Sequence, residues 1–164
     1  YAYDQDARRM ADVIPRAERA GVRNLQVRTP LNKTPLKDLE GRMDVVFVDA
    51  PCTGTGTWRR HPDAKWRLTA DQLSKRIKEQ DAVLAQAALY LKPGGRLVYV
   101  TCSLLREENE DRVAALVAGG GFSVRPIEAA SLSEYVTEEG FLRLSPLGAG
   151  CDGFFAATLA KGEA

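Results

Sequence analysis

The chain has 164 residues, enough for one domain with a core of its own, and no apolar run approaches the ~20 residues of a membrane span. Its opening residues are polar and charged, unlike a secretory signal, and three cysteines at wide spacing form no disulfide framework, so a reducing, cytoplasmic setting is expected. A net charge of +1 gives the whole chain no general attraction to polyanions, yet Trp58 to Lys78 carries seven Lys/Arg against two Asp, a local +5.

Residue 1 is not methionine and already reads as strand, which is expected of part of a longer protein. Tyr1 to Asp4 reads as a strand end. Asp6 can cap a helix bearing Met10, Val13, Ile14 and Ala17, with Gly21 past its end and Pro15 kinking or splitting it. Asn24 to Arg28 reads as a short strand, and Thr29 to Arg42 as loop with room for one helical turn. Asp44 to Asp49 is a continuous apolar run closed by an acid, the pattern of a strand buried on both faces. Thr69-Ala70-Asp71-Gln72 is a capping box, and Leu73, Ile77, Leu84, Ala88 and Leu91 keep helical spacing up to the stop at Lys92-Pro93-Gly94-Gly95. Arg96 to Cys102 is a second buried strand, Glu107 to Ala118 a helix, and Phe122 to Val124 and Gly153 to Leu159 the last strands. This alternation predicts an α/β domain with a largely parallel sheet and right-handed crossovers.

In such sheets function gathers at the carboxyl ends of strands. Asp4, the pair Asp49/Cys52, and Cys102 all fall there. Asp4 suits either a ribose-binding acid or a helix cap beside Asp6. A buried carboxylate at Asp49 would need a partner or a task. A cysteine near a strand end is commonly a small buried hydrophobe, but Cys52 and Cys102 would share one pocket if their strands are neighbours. A regulatory disulfide, a zinc site and a thiol-based mechanism then compete. Zinc wants four ligands, and the chain has one His and a distant Cys151, so no metal is expected. A thiol mechanism with Asp49 as a proton-handling neighbour fits best. Gly54-Thr55-Gly56 is no P-loop, since no Gly-Lys-Ser/Thr follows. Arg59 stands one place too late after Cys52 for a phosphatase loop.

The blocks VDAPCTGTGTWRRHPDAKW, GGRLVYVTCSLLREENE and CDGFFAATL together resemble the catalytic half of the Sun/nucleolar-protein (Nol/Nop/Sun) family of RNA 5-methylcytosine methyltransferases. The likeness spans nearly the whole chain. It implies a Rossmann-like class I fold that uses S-adenosylmethionine, with 1–164 as part of the catalytic domain. It also implies an RNA partner, ribosomal or transfer RNA. Cys102 would add to carbon 6 of cytosine, making carbon 5 nucleophilic, and Cys52 would help remove the carbon 5 proton or release the product. Asp49 would hydrogen-bond the cytosine edge near ring nitrogen 3. Asp4 matches the acid that binds the cofactor ribose, with Asp49 and Pro51 also assigned to the cofactor. Arg59, Arg60, His61, Lys65 and Arg67 would face RNA, with phosphates on the cations and aromatics beside an unstacked base. His61 is read chiefly as structural. A DNA cytosine-5 methyltransferase, whose Pro-Cys thiol attacks, and a catalytically silent RNA-binding fragment are the alternatives.

The chain departs from the family pattern in four ways. The family's first strand, Gly-rich cofactor loop and following lysine would precede the motif of Asp4 and are not in this sequence. No acid stands at Thr29 to Asn32, where a second cofactor acid is expected. As given, the chain is expected to bind cofactor weakly, and without a central strand it is expected to rearrange or associate with a second copy.

Overall fold

The structure is a computed structural model and describes residues 1–31 and 35–163. The chain divides into two compact units, Tyr1–Glu40 and Gly41–Ala164. In the first, β1 (Ala2–Tyr3) pairs in parallel with β2 (Val27–Arg28). Asp6 does cap, with the Arg8 amide donating to Asp6 Oδ1 at 3.0 Å, but the element it starts is a 3-10 turn, Ala7–Met10. Helix α1 (Val13–Arg19) then begins afresh. The break therefore comes before Pro15, which sits in the first turn of α1, where a missing amide hydrogen is tolerated. Gly21 follows α1 at φ +68°, a left-handed conformation that suits glycine. The expected turn is Lys37–Leu39, whereas Asn32, within the expected cofactor-acid segment, lies outside the described residues.

The second unit holds the main sheet, in the order β3 (Met43–Asp49), β4 (Leu91–Thr101), β7 (Phe154–Lys161), β5 (Phe122–Arg125), with β6 (Leu142–Leu144) also on β7. β3 and β4 are parallel; β7 runs antiparallel to each of β4, β5 and β6, so the other four strands share one direction. Helix α2 (Ala70–Tyr90) crosses from β3 to β4, and α3 (Glu110–Ala118) follows β4. The capping box at Thr69 is formed both ways, at 3.2 Å each. Alanine-rich and free of β-branched runs, α2 is intrinsically favourable, and its Leu84 and Ala87 are buried with Leu97, Tyr99, Val113 and Phe155 in the larger core. Alternation along β4 and β7 sends Val100 and Ala156 into a second core with Leu142 on the opposite face. Lys92 to Gly95 ends α2 as expected but joins β4 as an excursion, since the register jumps from Met43–Leu91 to Val45–Arg96.

One expectation fails here. The apolar run of β3 is not buried on both faces: Val48 is buried, but Val45 is 44 % and Phe47 64 % exposed. Among the described pairings β3 has a partner, β4, on one side only. A continuous apolar run records two faces that can be covered, not that both are. The short β6, the short helix α4 (Pro146–Ala149) and the 3-10 turns Thr55–Thr57, Pro62–Trp66 and Ala130–Tyr135 carry no periodic signal and were not foreseen. Among the described residues no helix is long and apolar enough to cross a membrane.

Candidate active site

Parallel pairing of β3 with β4 brings their carboxyl ends side by side, Asp49 opposite Val100. The two following loops each carry a thiol, and Cys52 Sγ lies 3.3 Å from Cys102 Sγ, a hydrogen bond between half-buried groups. The strands are neighbours, so the condition under which the two thiols would share one pocket is met. They are not equivalent. The hydrogen bond from Cys52 outweighs burial and the repulsion of Asp49 and Glu108, and lowers the Cys102 pKa to about 7. The same hydrogen bond, burial and the Cys102 charge push Cys52 far up. The direction of the shifts makes Cys102 the more readily ionised sulfur and Cys52 the more weakly acidic one.

What holds this geometry is a carboxylate that sequence reasoning missed. Glu108 is completely buried and faces four donors: the Thr53 amide at 2.8 Å, the Thr53 hydroxyl at 2.5 Å, Gln80 Nε2 at 3.1 Å and the Ser103 hydroxyl at 2.5 Å. It therefore ties the loop after β3 to the loop after β4 and to α2. Gln80, also fully buried, donates from the same nitrogen to the Pro51 carbonyl at 2.8 Å. The Thr55 hydroxyl accepts from the Leu104 amide at 2.8 Å and lies 3.1 Å from the Ser103 hydroxyl. Tyr99 donates to the Glu108 carbonyl at 2.6 Å, and Asn109 bonds both Thr101 and Ser103. Buried polar networks of this kind fix one arrangement when their members are paired.

Glycines allow the loops to touch. The Gly56 amide donates to the Cys102 carbonyl at 2.9 Å, and the Gly153 amide to the Gly56 carbonyl at 2.8 Å. A Cβ on Gly56 would run into the Gly153 carbonyl oxygen and stand 2.8 Å from that of Cys102; both are backbone and cannot swing away. Gly56→Ala is therefore expected to destabilise the domain by about 2 kcal/mol, read as a lowered thermal unfolding midpoint.

The remaining candidates are dispersed. Asp49 is exposed, so the cost of burial gives it no obligatory partner. Pro51 is exposed while its carbonyl serves Gln80. Asp4 belongs to the first unit; its Oδ1 accepts the Asp6 amide at 2.7 Å and its Oδ2 lies 3.8 Å from Arg9. In the basic loop, Arg59 and Arg60 both face Asp152, at 3.4 and 2.5 Å, and Arg67 pairs with Asp63 at 2.7 Å. Lys65 rests 4.7 Å over the ring of Trp66, which is 81 % exposed. His61 is exposed, and its backbone caps the Pro62–Trp66 turn. Cys151 stands apart, its thiol on the Asp152 carbonyl. Among the described residues no group of three or more His, Cys, Asp or Glu is placed to hold a metal ion.

Comparison with known proteins places this geometry. Residues 1–160 match the family model described as 16S rRNA methyltransferase RsmB/F. Ribosomal RNA small subunit methyltransferase F of Vibrio cholerae is 36 % identical over 88 % of this chain, and methyltransferase B of an Enterobacter species 34 % over 98 %. The chain spans only 31 % and 36 % of those two relatives. Among solved structures, NSun6 from Pyrococcus horikoshii with SFG superposes at a TM-score of 0.80 with 28 % identity, over 99 % of this chain and 41 % of that one. A methyltransferase homolog protein from the same organism gives 0.76 and 30 %, over 98 % and 52 %. The α/β architecture is thus that of class I methyltransferases, and the chain belongs to the 16S rRNA methyltransferase RsmB/F family.

Proposed function

We propose that this chain is part of the catalytic domain of an enzyme that methylates carbon 5 of cytosine in RNA, using S-adenosylmethionine. The observation that carries the reading is the hydrogen-bonded thiol pair at the ends of adjacent parallel strands, with Cys102 shifted toward easier ionisation and Cys52 away from it. Carbon 5 of cytosine is a poor nucleophile until a sulfur adds to carbon 6. A Cys102 thiolate can make that bond, pushing electrons onto the ring, and the retained proton of Cys52 keeps the second sulfur from competing. Asp49, exposed at the end of β3, is free to accept from the cytosine edge. Loss of the carbon 5 proton to solvent water then lets the Cys102–carbon 6 bond break, its electron pair returning to the sulfur as thiolate, and the Cys52 S–H is placed to hydrogen-bond that departing sulfur.

The donor set fits the cofactor. Among the described residues the second carboxylate oxygen of Asp4 has only the long Arg9 contact and can accept from a ribose hydroxyl; Asp49 and Pro51, exposed at the end of β3, are the other residues assigned to the cofactor. When bound, S-adenosylmethionine supplies an electrophilic methyl group. Ribosomal RNA is the substrate class favoured by the names of the relatives, and a cytoplasmic setting goes with it. Arg59, Arg60, His61, Lys65 and Arg67 form the RNA-facing loop in this reading, with the exposed Trp66 as a surface for an unstacked base.

The test is methyl transfer by the full-length protein to unmodified ribosomal RNA, followed by mapping of the modified base. Transfer to a cytosine carbon 5 is expected; no transfer with cofactor bound would sink the proposal. A pH profile adds a second check. A thiolate nucleophile with a pKa of about 7 is depleted as pH falls, so kcat/KM should drop about tenfold per unit below neutrality and level off above it.

A further inference from the structure

A cleft of about 340 Å³ opens beside the thiol pair, lined by Cys52 and Thr53 on one side and by Arg67, Gln72, Lys75 and Arg76 on the other. We propose that it seats a sugar-phosphate unit of the RNA strand next to the target nucleotide, with Lys75 and Arg76 of α2 and Arg67 as the groups that hold the phosphate. The proposal rests on the RNA reading above and adds two residues to it.

Four observations support it. Positions 72, 75 and 76 are spaced i, i+3, i+4, so they share one face of α2, and that face forms the wall. The wall carries three cations, and its acidic neighbours are Glu79, 3.9 Å from Lys75 and 2.6 Å from Arg76, and Asp63 on Arg67. Arg67, Asp63 and Lys75 are solvent-exposed while the Arg76–Glu79 pair is part-buried; exposed pairs yield readily to a phosphate. The volume lies near the ~300 Å³ lower limit of ligand sites, a match for one nucleotide unit and too small for a folded helix. Since Cys52 is in the wall, a strand held here is delivered to the reacting sulfurs.

The experiment compares the full-length protein with Lys75→Gln, Arg76→Gln, the double variant, and Lys78→Gln, an exposed cation of the same helix outside the cleft. Binding of single-stranded ribosomal RNA is measured across a salt series, then methyl transfer. The double variant is expected to raise KM about tenfold with kcat little changed, and to flatten the log–log salt dependence by about 0.7 per contact removed. Lys78→Gln should match the parent. A double variant with the parent's KM and salt slope, or a Lys78 variant equally impaired, would overturn the proposal. If the protein binds RNA but transfers no methyl group, the functional reading fails while the salt slopes still decide the cleft. If it binds no RNA, both fail.

Discussion

Cys102→Ala is expected to abolish methyl transfer, by about 10⁴-fold or more, and to leave no covalent protein–RNA species. Cys52→Ala is expected to accumulate that species. The difference follows from the proton between the two sulfurs. At 3.3 Å one thiol donates to the other, and the direction of the shifts favours ionisation at Cys102, whose pKa is lowered to about 7, over Cys52, which is pushed up. Removing Cys102 removes the nucleophile, and the sulfur left behind lies on the other loop and is still held up by burial, though it loses the neighbour that raised it most. Removing Cys52 leaves a sulfur able to add to carbon 6, but deprives the adduct of the neighbour that helps it break down. It also deletes the hydrogen bond that lowers Cys102, so adduct formation should need a higher pH than in the parent. A denaturing gel of each variant with labelled RNA reads the result. Trapping by Cys102→Ala and none by Cys52→Ala would reverse the assignment, with the attacking sulfur then on the Asp-Ala-Pro-Cys loop.

The pairing of these thiols was legible because it rests on topology. Two apolar strands joined by one long helix favour a parallel pair, and once they are adjacent the residues that follow them meet. The capping box of α2 and the terminating Lys92-Pro93-Gly94-Gly95 were legible for the same reason: each is a local rule obeyed locally. What escaped the sequence is long-range. Asp49 reads as a buried acid because Val45 to Val48 read as covered, yet Val45 and Phe47 are open and Asp49 with them. The deeply buried acid is Glu108, hidden in the run Glu107-Glu108-Asn109-Glu110-Asp111, where composition says solvent. A helix begun at Glu107 would give no reason to turn Glu108 inward. The actual 3-10 turn, Arg106–Glu108, changes the phase before α3 starts and aims that one side chain at the loops. The basic loop was read from charge alone, which could not show that Asp152, ninety residues on, would pair with two of its arginines.

Glu108 also yields a graded stability prediction. Glu108→Ala strips the acceptor from the half-buried Thr53 amide and hydroxyl and from the fully buried Gln80 and Ser103. Each buried donor left without a partner costs about 1–3 kcal/mol, partly relieved by relaxation, so a net loss of about 4 kcal/mol is expected. For a domain of this size that is roughly 8–16 °C in unfolding midpoint. Glu108→Gln should cost far less, about 1 kcal/mol. Its carbonyl can still accept the Thr53 amide and Gln80, and its amide nitrogen can donate to the two hydroxyls, which rotate to accept. The two variants should part company again in the chemistry. The Glu108 charge opposes the Cys102 thiolate. Glu108→Gln removes that repulsion while keeping the loops in place, so the pH profile should shift to lower pH. Glu108→Ala also removes the charge, but it frees the loops that hold Cys52 against Cys102, and with that hydrogen bond loosened the thiol should rise and activity fall. Thermal unfolding and pH–rate profiles of both variants check this. Equal destabilisation by Gln and Ala would mean that Glu108 is held by shape alone, and an unmoved profile in Glu108→Gln would mean that its charge does not reach the sulfur.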